Sequence, residues 1–191
     1  SGSGNLTLGA SGIVTTGSGN VSSLSNLTLA TSQSWNVGNG DLTVSSSIGG
    51  AARLTKTGAG TLTLTGTNAY SGGLSLAGGP LVLLGDQSAA TGSIDQRAAG
   101  TSLAIGSATQ SSPTSVVVGS GKSIMIGETG ASGTTSRIFE AQGSPGFATS
   151  VANHGSLSVG RGSLATVGQH ASWQQNGAMT VVGVGGYSAS L

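Results

Sequence analysis

Seven side chains in this sequence have types suited to acid–base or metal chemistry: Asp41, Asp86, Asp95, Glu128, Glu140, His154 and His170. Carboxylates set close together on one strand face could share a proton or hold a calcium ion. Here their spacing scatters them, and only Asp86 and Asp95, with Arg97 nearby, form a group, for which a solvated corner is the expected role. His154 and His170 lie sixteen residues apart without accompanying carboxylates, which is not a zinc-ligand spacing. Cysteine is absent, so disulfides and thiolate chemistry are excluded. Serine is everywhere, but no G-x-S-x-G elbow occurs. "VGVGGYSAS" approaches a Gly-rich calcium repeat and lacks its Asp. The expectation is a non-enzyme with no catalytic, cofactor-binding or metal-binding residues.

The scaffold that would position these groups is unusual in composition. Of 191 residues 36 are Gly, 6% are charged and 3% aromatic, with a net charge of +1. Charge this sparse is far below the ~25% of an ordinary domain. The apolar residues are mostly Leu, Val and Ile in apolar-x-apolar units, a strand pattern rather than the composition of a disordered tract. Four Arg and two Lys spread along the chain leave no basic patch, so nucleic acid is not an expected partner. No apolar run is long enough to cross a bilayer as a helix. The opening "SGSGNLTLGA" lacks a leader pattern, so an exported chain would carry it as an internal piece.

The units recur. "NLTLGAS" at Asn5 returns as "NLTLATS" at Asn26, and "AGTLTL" at Ala59 returns as "GGPLVL" at Gly78. Their first apolar residues are Leu6, Leu27, Leu42, Leu62, Leu81, Leu103, Ile124, Leu157 and Met179, mostly about twenty residues apart. A strand-rich unit of that length buries its apolar side chains only by stacking on the next, which implies a solenoid. Helical spacing is missing, which argues against leucine-rich repeats. The expected fold is therefore all-β, a right-handed parallel β-helix of eight or nine coils over residues 1–191. Leu62, Leu64, Leu81, Leu83, Leu103, Ile105, Ile124 and Ile126 should form stacked inner rows, with Thr61, Thr63 and Thr65 outside. Trp35 and Trp173 are expected to pack in the core or at corners. Asn5, Asn20 and Asn26 each open an N-x-S/T triplet, read here as outer ladder positions.

"LTKTGAGTLTLTGTNAYSGGLSLAGGPLVLLG", residues 54–85, resembles the autotransporter-associated β-strand repeat of passenger domains, whose pattern runs K-x-G-x-G-T-L-x-L-x-G-x-N-x-Y-x-G-G. Ala69 stands where that pattern commonly has Thr. The resemblance implies export by type V secretion in a Gram-negative bacterium, to the cell surface or into the medium after cleavage, and a C-terminal membrane β-barrel elsewhere in the same polypeptide. It also implies adhesion or autoaggregation, with host-cell surface or matrix molecules, or other bacterial cells, as partners. The alternatives are a stalk and secretion aid for an effector domain elsewhere, and a polysaccharide lyase or hydrolase.

The step from Ile124 to Leu157 is 33 residues, longer than a coil needs. Residues 128–155 are therefore expected to include an inserted loop. Aromatic and charged residues gather there, and Glu128, Arg137, Phe139, Glu140, Phe147 and His154 are the candidate interaction residues. The competing reading makes Phe139 part of a second strand, with Phe147 packed as a lid.

Overall fold

The structure, a computed structural model, describes residues 6–16, 26–127, 137–160 and 163–181. Its described secondary structure is entirely β, with 22 short strands joined in parallel ladders. Chain order cycles through three faces. The first face begins with Leu6–Leu8, Leu27–Leu29, Ile48–Gly50 and Ala69–Tyr70. The second carries eight strands, from Ile13–Thr15 through Gln33–Val37, Leu54–Thr57, Leu74–Leu76, Ile94–Gln96, Ser123–Ile126 and Ser156–Val159 to Met179–Val181. The third carries six: Leu42–Val44, Leu62–Leu64, Pro80–Leu83, Ser102–Ile105, Arg137–Ala141 and Ser163–Val167. This is a parallel β-helix.

Period-two alternation makes the walls. In Leu62–Leu64 and Leu74–Leu76 the outer residue is partly exposed while both leucines are buried. The inward residues of successive rungs then stack, Leu62 on Leu81 on Leu103 and Leu64 on Leu83 on Ile105, as expected. Ile124 and Ile126 do not continue those rows. They stand on the second face, over Ile94 and Gln96 and under Leu157 and Val159. The recurrent Leu-x-Leu units thus belong to three different walls, and the series of first apolar residues steps from one wall to another at Leu27 to Leu42 and at Leu103 to Ile124.

The first face changes character partway along. After Tyr70 its place between the third and second faces is taken by a separate ladder of Asp86–Gln87, Thr114–Val118, Thr149–Asn153 and Ala171–Gln175. Asn68 bridges the two ladders. Its backbone N–H donates to the Asp86 carbonyl at 2.9 Å, its amide Nδ2 donates to Gln87 Oε1 at 2.7 Å, and its Oδ1 accepts from Ile48 N at 2.8 Å. Beyond this junction the coils lengthen. On the second face the step is 20 residues from Leu74 to Ile94, then 30 to Ile124 and 33 to Leu157. Long corners absorb the excess, and two successive coils share the irregularity rather than one.

The interior is a narrow apolar column in which Trp35 and Phe139 are buried and Trp173 meets Phe139 edge-on at 5.5 Å.

Candidate functional site

In the expected interaction segment, residues 128–136 lie outside the described residues, and the described part contains the strands Arg137–Ala141 and Thr149–Asn153. Residues 137–141 form an ordinary rung of the third face, so Phe139 is buried in the core over Leu103, and Glu140 takes the outward position between Ala104 and Thr166. Arg137 opens that rung, and Glu128 lies outside the described residues. His154 sits at the far end of the next strand, its backbone N–H on the Val118 carbonyl and its Nδ1 3.0 Å from the Asn176 amide. Of the candidates with described side chains, Phe139 is buried in the core, Glu140 faces outward on the third face and His154 follows a strand of the later ladder.

Phe147 is the exception that projects. A two-residue Pro145-Gly146 turn closes between Ser144 and Phe147 through reciprocal backbone bonds of 3.1 and 3.0 Å, with Gly146 at φ 92°. Proline followed by a positive-φ glycine is the chemistry of a type II turn. The turn is anchored from below by Gln110, whose Nε2 donates to the Phe147 carbonyl at 2.7 Å, while Ser144 Oγ donates to the Gln110 carbonyl at 2.7 Å. Phe147, 38% exposed, lines a groove of about 330 Å3 together with His170 and Ser172. His170 adopts φ 55°, a left-handed conformation that is unusual for a non-glycine residue. Its nearness to Phe147 is not legible in the sequence, where the two lie 23 residues apart. That separation is close to one rung of this face, which pairs Thr149 with Ala171.

The carboxylates are committed elsewhere. Asp95 accepts from Arg97 at 2.7 and 2.8 Å and from Arg53 at 3.2 Å, and the Arg97 hydrogen bonds hold its carboxyl below the usual range. Asp86 accepts from Ser115 Oγ at 2.5 Å and from Ser88 N, which lowers its carboxyl likewise. Asp41 accepts the Thr61 N–H. Among the described residues no three His, Cys, Asp or Glu converge on a metal site.

Residues 54–85 have a different kind of specificity. Lys56 alternates with Leu54 and so points inward, fully buried, in the row between Trp35 and Leu76. Its ammonium donates to the carbonyls of Thr57, Gly58 and Gly78 at 3.0, 2.8 and 2.9 Å, closing one corner and tying it to the next coil. Burial pushes its pKa down to about 8. Gly58, at φ 80°, packs so tightly on the coil below that a Cβ would strike the Val37 carbonyl, and a Cβ on Gly60 would strike that of Gly40. Asn68 is the bridge described above, and Tyr70 is buried on the apolar column, which raises its pKa.

Residues 54–83 match the family model of the passenger-associated-transport-repeat. The chain carries an autotransporter passenger repeat. Such a repeat indicates a passenger domain, delivered to the surface of a Gram-negative bacterium or secreted from it. Comparison with curated proteins and with solved structures finds no match. Within the passenger repeat five signature positions have structural roles: the buried ammonium of Lys56, the close-packed Gly58 and Gly60, the Asn68 amide that joins ladders and the buried Tyr70 phenol.

Proposed function

We propose that this passenger segment serves adhesion or autoaggregation on the cell surface, binding host-cell or matrix molecules or the surfaces of neighbouring bacteria. The observation that carries the proposal is the passenger repeat at residues 54–83, set inside a continuous, nearly uncharged β-helix. A scaffold whose backbone bonds run from coil to coil presents long flat walls in fixed register, suited to many weak contacts over an extended surface. The second reading is a stalk and secretion aid for an effector elsewhere in the polypeptide. It is favoured by the wholly structural use of Lys56, Gly58, Asn68 and Tyr70.

Fusing the chain to a membrane β-barrel and displaying it on a non-adherent Gram-negative strain tests the proposal. Faster settling, or attachment to matrix-coated or epithelial surfaces, supports adhesion. Normal surface display without either effect transfers the function to the stalk reading.

A further inference from the structure

The outward row of the ladder that succeeds the first face runs Asp86, Ser115, Ser150, Ser172, one residue per rung in parallel register. At its upper end lies the groove lined by Phe147 and His170. Ser150 and Ser172 are exposed, and among the described residues the Ser150 hydroxyl has no partner within the chain.

We infer that this wall is a binding track for a neutral polysaccharide, with one sugar ring seated on Phe147 in the groove and the following units lying along the serine row. This deepens the adhesive reading above and rests on it. A pyranose has an apolar C–H face and a hydroxyl rim, the complement of an exposed phenyl ring beside an imidazole and hydroxyls. The groove's ~330 Å3 is at the lower end of the ~300–1,000 Å3 typical of small-molecule sites. Rungs repeat about every 4.8 Å, close to the length of one sugar unit, so consecutive sugars meet consecutive rungs. A peptide added as a strand does not fit the length of the row: Thr114–Val118 and Thr149–Asn153, which carry Ser115 and Ser150, are paired on both sides, and among the described residues Ala171–Gln175, paired on one side only, would place it across the end of the row rather than along it. The row has a single formal charge, Asp86 at one end, which disfavours a polyanion.

The test is titration of the 191-residue chain with cellohexaose, mannohexaose, chitohexaose and, as the anionic arm, hexagalacturonate, by calorimetry and amide chemical-shift mapping. Saturable binding of at least one neutral hexaose is expected, with shifts centred on residues 146–150 and 170–172. Phe147→Ala and Ser150→Lys should each weaken it at least tenfold with an unchanged melting temperature, and Val14→Ser, on another wall, should leave it unaltered. The inference is overturned if no neutral hexaose binds, if only hexagalacturonate binds, or if both substitutions leave affinity intact. Its failure is separable from that of the adhesive reading. Displaying cells that neither attach nor aggregate, while the hexaose binds the purified chain, remove adhesion and keep the track. Cells that attach equally well with Phe147→Ala and Ser150→Lys keep adhesion and remove the track.

Discussion

Lys56 shows how a single residue can define a repeat. An inward ammonium in an apolar column is costly unless its donors are satisfied, and here three carbonyls receive them. Lys56→Met leaves those carbonyls facing an apolar group, and a loss of roughly 2–4 kcal/mol in denaturant unfolding is expected. The depressed pKa has its own signature. Between pH 8 and 10.5 the unfolded chain holds the Lys56 proton while the folded chain releases it, so stability rises with pH across that window. The gain is complete above the unfolded pKa and absent below about pH 8, on the order of 1–3 kcal/mol. Comparing wild type with Lys56→Met by urea unfolding at pH 7.5 and 10 checks it, since the variant should lose this increment. Asp95 behaves in the ordinary carboxylate sense, its stabilisation present above the unfolded pKa and lost in acid. Because Arg53 and Arg97 are half exposed, Asp95→Asn should cost no more than ~1 kcal/mol at pH 7. The inward Lys was legible in "LTKT", where Leu54 and Lys56 share a phase, but only stacking supplies its carbonyl partners.

At the scale of elements, the sequence showed the alternation clearly and the assignment of strands to walls poorly. Leu-x-Leu units on all three faces look alike, so Leu27 and Leu42 read as one series although they stand on different walls. Strands such as Ile48–Gly50, Ala69–Tyr70 and Asp86–Gln87 were invisible, being short and nearly free of apolar alternation; neighbouring coils and Asn68 hold them in place. Phe139 stands in a regular rung over Leu103, and the 36 residues that separate the two in sequence conceal that pairing. Leu62→Asp should abolish folding, since an unpaired charge among rung contacts costs several kcal/mol. Thr63→Asp, one residue along and facing outward, should fold with a melting temperature within a few degrees of wild type; circular dichroism distinguishes the two.

For the whole molecule, stability comes from repetition. Each coil covers its neighbour, so a defect in the passenger repeat should weaken the rungs on both sides while leaving remote ones formed. Amide exchange in Asn68→Ala is expected to speed most at Ile48 and around Gln87, the groups it joins, and least near Leu157. The central claim is a single in-register parallel stack, with residues 54–83 aligned between the coils on either side. The absence of native cysteine permits a clean test by paired substitution. Thr63→Cys with Val82→Cys places two outward thiols directly opposite in adjacent rungs, whereas Thr63→Cys with Leu81→Cys puts one thiol outside and the other in the core. Mild oxidation of the folded chain should cross-link the first pair and leave the second reduced. Equal cross-linking of both, or of neither, would contradict the stack.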